Sequence, residues 1–377
     1  MDNYLDFLKD KESMMIDMIK QVVEIESPTH HKKQNDYLGN MLRELFEQFT
    51  GGKTRIVENE EFGNHIIGEI GEGDEQILIV GHFDTVHPIG TIKRNPFRIE
   101  EGKVYGPGIY DMKTGLVQAI FALHALTELQ MLKDKKIVCI FNSDEELGSK
   151  TSRQLIVEEA KKSKFAFVLE PSFGEDGAIK IARKGVASYI VKASGVPAHA
   201  GNSPEEGVSA IEEISHQVLE LQALNDYEAG ITVNCGIING GSAKNTIPEY
   251  AELKVDVRVP TISDSKKIHQ YITQLEPIND KVELEIKGGF TRPPMEKDEE
   301  SEQLYQMAKT MMKKHCNEHL PKAFVGGASD GNYTSLYTAT LDGLGAVGDG
   351  AHSIDEYIFI DHLVSRTALL AALIEKA

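Results

Sequence analysis

Hydrophobic residues recur at helical spacing over the first fifty positions of the chain. In residues 4–27 the apolar side chains repeat with a period near 3.6, which predicts one long helix, and a second helix is predicted at about 33–49. The pattern then changes to short apolar runs that end in polar residues, as in QILIVGHFDTV and KKIVCIFNSDEE. Such runs are typical of parallel strands that are buried on both faces of a sheet.

Strand and helix patterns alternate through the first half of the chain. The segments TGLVQAIFALHALTELQ and SRQLIVEEAKK have the periodicity of helices, and FAFVLEPS has the composition of a third buried strand. This alternation predicts an α/β fold with a largely parallel sheet and helices on its faces.

The pattern changes again near residue 184. Alternating segments typical of strands (GVASYIVKASG, ITVNCGIING, YAELKVDVRV and KVELEIKG) are interspersed with two helical segments in the order βαββαβ. This order indicates a small α+β domain with an antiparallel sheet. Ser203 is expected to cap its first helix, with Pro204 at the first helical position. We therefore predict one larger domain, formed by residues 1–183 and 291–377, and a domain inserted at 184–290.

Composition and charge restrict the class of protein. A chain of 377 residues suits two domains. Asp and Glu number 59 against 40 Lys and Arg, a net charge of −19, which disfavours nucleic acid as a partner. The three cysteines form no CxxC pattern, the N-terminus is acidic rather than signal-like, and no apolar run reaches about 18 residues. These features predict a cytoplasmic protein that does not enter the membrane.

Polar side chains follow the three buried strands where each strand ends. They are His82 and Asp84, then Glu145 and Glu146, then Glu170, while Asp111 lies between a glycine turn and a helix. Ligands bind at the carboxyl ends of strands in open α/β sheets. Several carboxylates gathered at one edge would repel one another without a cation. Imidazole and carboxylate ligands suit Zn²⁺, with Co²⁺ or Mn²⁺ as alternatives.

The paired acids Glu145 and Glu146 are expected to have different roles. Neighbouring side chains at the end of a strand point to opposite sides, so one can bind a metal while the other takes a proton from a water molecule that the metal activates. Asp84, two residues beyond His82, is expected to accept the ring N–H of His82 and to fix its orientation. For any one of these acids, a helix cap remains the alternative.

Eight motifs, in order along the chain from about residue 80 to its end, resemble those of a known family. The family is that of the dizinc metallopeptidases that include aminoacylase and glutamate carboxypeptidases of the carboxypeptidase G type. The motifs are GHFDTV (81–86), GPGIYDMKTG (106–115), NSDEELGS (142–149), LEPS (169–172), HAGNSPEEG (199–207), GGSAKNTIPEYAELKVDVR (240–258), GGASDGN (326–332) and GDGAHS (348–353).

The resemblance implies a role for each candidate metal ligand. Asp111 would bridge two Zn²⁺ ions, with one ion completed by His82 and Glu170. The second ion would be completed by Glu146 and His352. Glu145 would act as the general base and then as the general acid, supported by Asp84.

The resemblance also implies how substrate binds. The inserted domain would be a lid that forms a homodimer, and its His199, from the same or a partner subunit, would polarise the scissile carbonyl. Arg258 would bind the carboxylate of the substrate and Asn245 would assist. Gly327 and Ser329 would lie near the substrate.

The implied function is a zinc-dependent exopeptidase that releases a C-terminal amino acid, with glutamate favoured, from small peptides or N-acyl amino acids. The alternatives are an N-acyl amino acid deacylase or a dipeptidase with the same mechanism, and a non-catalytic metal-binding protein, which would be expected to lack Glu145 or His199. One position departs from the family pattern: Thr114 follows the DMK motif where many relatives have glycine. Thr114 is expected to leave Asp111 unaffected but to narrow the neighbouring pocket.

Overall fold

The structure, a computed structural model, describes residues 1–376. Within them the helices are α1 (Asp2–Lys9), α2 (Glu12–Glu24), α3 (Lys32–Thr50), α4 (Thr91–Arg94), α5 (Thr114–Glu128), α6 (Arg153–Ala160), α7 (Ala210–Gln222), α8 (Ile262–Thr273), α9 (Glu299–Met311), α10 (Gly331–Thr334) and α11 (Leu363–Lys376).

The strands of the same residues belong to four sheets. They are β1 (Lys53–Val57), β2 (His65–Ile70), β3 (Glu75–His82), β4 (Arg98–Glu100), β5 (Lys103–Tyr105), β6 (Lys135–Asn142), β7 (Ser163–Val168), β8 (Ile179–Arg183), β9 (Gly185–Ser194), β10 (Thr232–Gly240), β11 (Tyr250–Val259), β12 (Glu283–Arg292), β13 (Lys322–Val325), β14 (Ala339–Leu341), β15 (Gly348–Asp349) and β16 (Tyr357–Phe359).

The chain divides into two compact units. The first unit comprises Met1–Ala182, Lys297–Val325 and residues 329–376, and the second comprises Arg183–Glu296 and Gly326–Ala328. The first unit contains a six-stranded sheet in the order β1-β2-β6-β3-β7-β14. Strands β6, β3, β7 and β14 pair in parallel, whereas β1 and β2 pair antiparallel. The predicted α/β fold with a largely parallel sheet is therefore confirmed.

Helix α5 lies at the centre of the first unit. Its residues from Thr114 to Leu123 are all buried, and it packs against α3 and α11. A helix that is apolar on every side needs cover on every side, which these neighbouring helices and the sheet provide. Among the described residues, no helix is both long and apolar enough to cross a membrane.

The single helix predicted for residues 4–27 is wrong, because the chain forms two. Helix α1 buries Tyr4 and Leu8, α2 buries Met15 and the apolar residues that follow, and the break falls at the charged pair Asp10 and Lys11. Leu8 and Met15 are seven residues apart, so the apolar stripe stays in phase across the break. Periodicity alone therefore hides the end of α1.

The second unit has the predicted βαββαβ order. Its four strands form an antiparallel sheet in the order β10-β11-β9-β12, and α7 and α8 pack against it. The two ends of its main segment lie side by side, since Arg183 and Met295 exchange two backbone hydrogen bonds of 3.0 Å each. That this unit serves as a lid or a dimerisation domain stays a prediction.

The expected cap of α7 is in the wrong place. Ser203 precedes a separate 3₁₀ turn, Pro204–Glu206, and its side chain makes no capping bond within the described chain. Helix α7 begins later, where the Oγ of Ser209 accepts the N–H of Glu212 at 3.1 Å. Ser203 and Ser209 are both favourable N-cap residues by type. Pro204 favours a helical turn directly after Ser203, but that turn does not continue into α7.

Candidate dinuclear metal site

Three neighbouring strands of the first unit bring the predicted ligands to one edge of the sheet. His82 is the last residue of β3, and Glu170 lies two residues beyond the end of β7. Glu145 and Glu146 follow β6, which ends at Asn142. Because β6, β3 and β7 are adjacent and parallel, their carboxyl ends meet at the same edge.

Asp111 lies between two histidines. Its Oδ1 is 3.2 Å from Nε2 of His82, and its Oδ2 is 3.3 Å from Nε2 of His352. Each histidine has a second carboxylate beside it, Glu170 at 3.7 Å from His82 and Glu146 at 3.2 Å from His352. One carboxylate that turns a different oxygen to each of two imidazoles has the arrangement of a ligand shared by two cations.

The residues fit two divalent cations. Ligand bonds of about 2.1 Å at a tetrahedral zinc place neighbouring ligand atoms roughly 3.4 Å apart, which the four distances of 3.2 to 3.7 Å match. The Oε1 atom of Glu146 is buried and has no hydrogen-bond partner among residues 1–376. An unpaired buried carboxylate oxygen is costly, and a bound cation would satisfy it.

Without a metal, the histidines and carboxylates of the cluster shift one another's pKa values. Burial raises the pKa of Asp111, but hydrogen bonds from His352 and His82 outweigh burial and hold it well below its usual range. Burial alone would lower the pKa of His82, yet Asp111 and Asp84 raise it well above its ordinary value. Hydrogen bonds to Asp111 and Glu146 raise the pKa of His352 to about 10. Burial raises the pKa of Glu146. His82 and His352 therefore bind protons in the absence of a metal, and a cation would have to displace those protons.

Glu145 is buried at the same place. One of its carboxylate oxygens lies within 4.8 Å of ligand atoms of both His82 and Glu170. By distance alone Glu145 could be a ligand, so its role as the general base stays a prediction.

The expected reason for the different roles of Glu145 and Glu146 is wrong. The two acids do not continue a strand, because β6 ends at Asn142 and Glu145–Leu147 form a 3₁₀ turn. Successive side chains in such a turn are about 120° apart, so the two carboxylates still project in different directions.

Asp84 connects the ends of β3 and β6. Its Oδ1 accepts the N–H of Glu145 at 3.2 Å, and its Oδ2 accepts the N–H of Glu146 at 3.3 Å. Nδ1 of His82 is 3.0 Å from the Asp84 carbonyl oxygen and 3.4 Å from Oδ1, so the backbone of Asp84 is the closer partner of the imidazole. The hydroxyl of Thr29 donates to Oδ2 at 2.8 Å. Thr29 was not predicted, since it lies 55 residues away in sequence.

Asp111 and His352 are held by loops rather than by strands. Asp111 has an extended backbone within the turn Ile109–Lys113, and its N–H donates to Oε1 of Glu356 at 2.8 Å. His352 is half-exposed and has a φ of +64°, in the left-handed region. Glu356 was not predicted, and its position four residues after His352 was the only signal. Thr114 starts α5 fully buried, so it does not face an open pocket.

His199 and Asn245 lie together on the surface of the second unit. Both are exposed, and they belong to neighbouring backbone segments, because the carbonyl of Asn245 accepts the N–H of Ala200 at 3.0 Å. Nδ1 of His199 accepts the backbone N–H groups of Gly201 and Asn202, each at 3.1 Å. A neutral His199 therefore carries its proton on Nε2.

The other predicted substrate residues are divided between the units. Arg258 pairs with Asp256 at 3.0 Å and donates to the Gly326 carbonyl at 3.4 Å. A Cβ at Gly327 would meet no atom of the described chain within 4 Å, so packing does not require glycine there. Ser329 belongs to the first unit, is fully buried and donates its hydroxyl to Asp342. These contacts favour a structural role for Ser329.

Metal-dependent hydrolases are the class that the α/β fold and the ligand cluster at its strand ends define. The chain belongs to Peptidase family M20/M25/M40, whose family model matches residues 78–376. The resemblance inferred from the motifs is thereby confirmed, as is the prediction of a hydrolase that acts on amide or peptide bonds.

Several known proteins are similar over most of the chain. Carboxypeptidase G2 of Pseudomonas sp. (strain RS-16) is 31% identical over 371 residues, which cover 97% of this chain and 89% of that protein. Succinyl-diaminopimelate desuccinylase of Dechloromonas aromatica (strain RCB) is 26% identical over 317 residues, which cover 79% of this chain and 82% of that protein. The crystal structure of aminopeptidase PepT from Bacillus cereus aligns with a TM-score of 0.75 at 20% identity, over 97% of this chain and 98% of that chain.

Proposed function

We propose that the protein is a dizinc exopeptidase that releases a C-terminal amino acid, with glutamate favoured, from short peptides or N-acyl amino acids. The position of Asp111 between His82 and His352 is the observation that carries the dinuclear chemistry. Release of a C-terminal residue is supported by the 31% identity to carboxypeptidase G2 over nearly the whole chain, and the preference for glutamate rests on the motif resemblance alone.

The ligands are divided between the two proposed ions. Asp111 would be shared by both ions, His82 and Glu170 would complete one position, and Glu146 and His352 would complete the other. Two divalent cations would polarise the carbonyl of the substrate and lower the pKa of a water molecule.

Glu145 is the proposed proton carrier. It takes a proton from the attacking water and delivers it to the leaving nitrogen as the amide bond breaks. Its buried carboxylate next to His82 and Glu170 supports this role, because the base must lie beside the reacting water. Asp84 accepts the N–H of Glu145 and so holds the turn that carries it.

The second unit is proposed to recognise the substrate. His199 donates from Nε2 to the oxygen on which negative charge develops, since its Nδ1 is already occupied by two backbone donors. Arg258 binds the free carboxylate of the released amino acid, with Asn245 as an additional donor. Open space at Gly327, next to the Gly326 carbonyl that Arg258 contacts, would let the backbone approach the substrate closely.

We propose that the protein is a homodimer through the second unit. In residues 1–376 strand β10 pairs on one side only, and its Ile237 and Ile238 are each 52% exposed. Leu219 on α7 is 71% exposed. An unpaired edge strand with apolar neighbours favours self-association. Sedimentation that gave a concentration-independent monomer would contradict the dimer and any action of His199 across subunits.

A cytoplasmic location is part of the proposal. Within the described chain the three cysteines are free thiols, which suits a reducing compartment. The net charge of −19 argues against nucleic acid as a partner.

An N-acyl amino acid deacylase is the second candidate. The desuccinylase relatives are 26% identical over most of the chain, and they favour removal of an acyl group rather than selection of glutamate. A dipeptidase would use the same mechanism. A non-catalytic binding protein is disfavoured, because the chain belongs to a family of hydrolases and retains both Glu145 and His199.

Hydrolysis of a substrate panel by the zinc-loaded protein tests these alternatives. The panel contains N-acyl glutamates, glutamyl-terminated peptides, N-acetyl and N-succinyl amino acids with other side chains, and free dipeptides. Turnover restricted to glutamate conjugates supports the proposal, whereas turnover that follows the acyl group supports a deacylase and turnover of free dipeptides alone supports a dipeptidase.

The variant Glu145→Gln tests the proton carrier. It should retain two metal ions and lose roughly 10²- to 10⁴-fold in kcat, the range for a general acid–base group. Glu158→Gln, at an exposed position on α6, is the control and should behave as wild type. Loss of a metal ion from Glu145→Gln would instead identify Glu145 as a ligand.

A further inference from the structure

Glu356 is a fully buried carboxylate on which four N–H donors converge. Its Oε1 accepts the backbone N–H groups of Tyr110 and Asp111 at 2.7 and 2.8 Å. Its Oε2 accepts the backbone N–H of Gly108 at 2.9 Å and the ring Nε2–H of His87 at 2.8 Å. A carboxylate is the side chain that accepts at both oxygens, whereas an amide would turn a donor towards two of these N–H groups.

These hydrogen bonds connect the two loops of the metal centre. Glu356 lies between β15 and β16, four residues after His352. Its backbone partners lie in the turn that contains Asp111. Its own carbonyl also accepts the N–H of Gly106 at 3.5 Å. Glu356 therefore connects the loop of His352 to the loop of Asp111, and both of its carboxylate oxygens are already occupied by N–H donors.

The turn at 106–111 depends on this support. Gly108 has a φ of +72°, and a Cβ there would sit 2.5 Å from the side chain of Thr85. In this turn the backbone N–H groups of residues 108, 110 and 111 all point at Glu356. Buried N–H groups need an acceptor, and Glu356 provides it. Rotation of the turn would move the Asp111 carboxylate from its place between His82 and His352.

We infer that Glu356 is a positioning residue for the proposed dinuclear centre, and that it sets the affinity of the ion held by Asp111, Glu146 and His352. This inference rests on the proposed dizinc function. Residues that orient metal ligands through hydrogen bonds typically change metal affinity by about 10- to 100-fold when substituted.

Glu213 in the second unit is a matched control. It is also buried, and its carboxylate accepts the backbone N–H groups of Ile278 and Asn279 at 3.0 to 3.1 Å and the side-chain amide of Gln217 at 2.8 Å. Glu213→Gln therefore disturbs the same kind of carboxylate support in a unit that contributes no residue to the metal cluster.

The test is titration of the metal-free full-length protein with Zn²⁺ against a chromophoric chelator, together with the visible spectrum of the Co²⁺ form. We expect Glu356→Gln to bind both ions more weakly, because both would share Asp111, with the larger loss, about 10- to 100-fold, at the ion that also uses His352. Glu356→Asp, which keeps the carboxylate, should recover part of this loss. Glu213→Gln should bind both ions as wild type does, even if its Tm falls equally.

Unchanged binding of two ions by Glu356→Gln overturns the inference, whatever its hydrolytic rate. Equal weakening in Glu213→Gln also overturns it, because the effect would then be general destabilisation. If Glu356→Gln does not fold, His87→Ala removes one of the four donors and should weaken one ion by roughly fivefold, the worth of one hydrogen bond, and unchanged affinity would again count against the inference. Failure of the wild type to bind two ions would contradict the proposed function itself.

Discussion

The two halves of the candidate metal centre share Asp111 but are supported differently. His82 and Glu170, the His82 half, lie at and just beyond the ends of the adjacent strands β3 and β7, and the His82 side chain is only 1% exposed. Glu146 and His352, the His352 half, come from a turn and a loop, and the His352 side chain is 54% exposed. In both halves the histidine Nε2 lies 3.2 to 3.7 Å from the neighbouring carboxylate oxygens.

The difference lies in what fixes each half. The hydrogen bonds of the sheet position His82, so the first half is preorganised before any metal binds. The second half depends on loop backbone N–H groups that donate to side chains: that of Glu146 to Asp84 and that of Asp111 to Glu356. A less preorganised site loses more conformational entropy on binding, so we expect the His352 half to bind its ion more weakly.

Asp111→Asn is expected to have the largest effect because Asp111 serves both halves. Asparagine retains the size of the side chain but loses the negative charge and one acceptor oxygen. Both ions should weaken, and activity should fall by on the order of 10⁴-fold or more. Metal content after dialysis and the hydrolysis rate are the measurements, with Asp134→Asn at an exposed position as the control. Retention of both ions would contradict the role of the Asp111 carboxylate as a ligand that both halves need.

His82→Ala and His352→Ala are expected to differ in stability as well as in metal binding. The metal-free His82 variant should lose about 1–3 kcal/mol of unfolding free energy, since it leaves buried partners unsatisfied. The metal-free His352 variant should lose less, because its side chain is 54% exposed and water can take its place beside Asp111 and Glu146. Each should lose one ion. Urea denaturation and metal titration measure the two effects, and equal destabilisation would remove the contrast between the halves.

Asp84→Asn is expected to have an intermediate effect, because Asp84 touches His82 and the turn of Glu146. The amide can accept only one of the two N–H groups that Asp84 accepts. We expect a loss of about 10- to 100-fold in activity with the fold retained. Circular dichroism checks the fold, and kcat relative to wild type measures the loss. An unchanged kcat would show that the turn keeps Glu146 in place without Asp84.

The smallest expected effect is proton release from the His352 half. In the metal-free protein Asp111 and Glu146 raise the pKa of His352 to about 10, so His352 is protonated at pH 7 and must lose that proton to bind a cation. Metal affinity should therefore rise with pH up to about 10 and fall as the pH is lowered. Calorimetry at pH 7 in two buffers of different ionisation enthalpy should detect this proton, and His352→Ala should release fewer protons on binding.

The sequence predicted best what short segments determine. The apolar runs of β3, β6 and β7 end in His82, Asn142 and Val168, and the parallel order of these strands was enough to bring the following acids together. The βαββαβ order of the second unit was equally visible, since each segment carries its own periodicity. The boundary between α1 and α2 was hidden because the apolar stripe continues in phase.

The loops could not be predicted from local pattern. Asp111 and Glu356 are 245 residues apart, and their contact exists only after the whole first unit has closed. His352 was assigned from the family resemblance, because nothing in its glycine-rich surroundings indicates a ligand. Thr29 and Glu356 act through hydrogen bonds to other residues, and such supporting residues leave no motif of their own.

The paired backbone of Arg183 and Met295 has a consequence for how this chain can be altered. Residues that exchange two hydrogen bonds are about 5.5 Å apart at Cα, so the two ends of the main segment of the second unit lie next to each other. Exchange of the main segment of the unit, Arg183–Glu296, therefore needs only two adjacent splices, and Gly326–Ala328 would remain with the first unit. If the second unit recognises the substrate, as proposed, exchange of this one segment would change which amide is cleaved and leave the ligand set of the first unit intact.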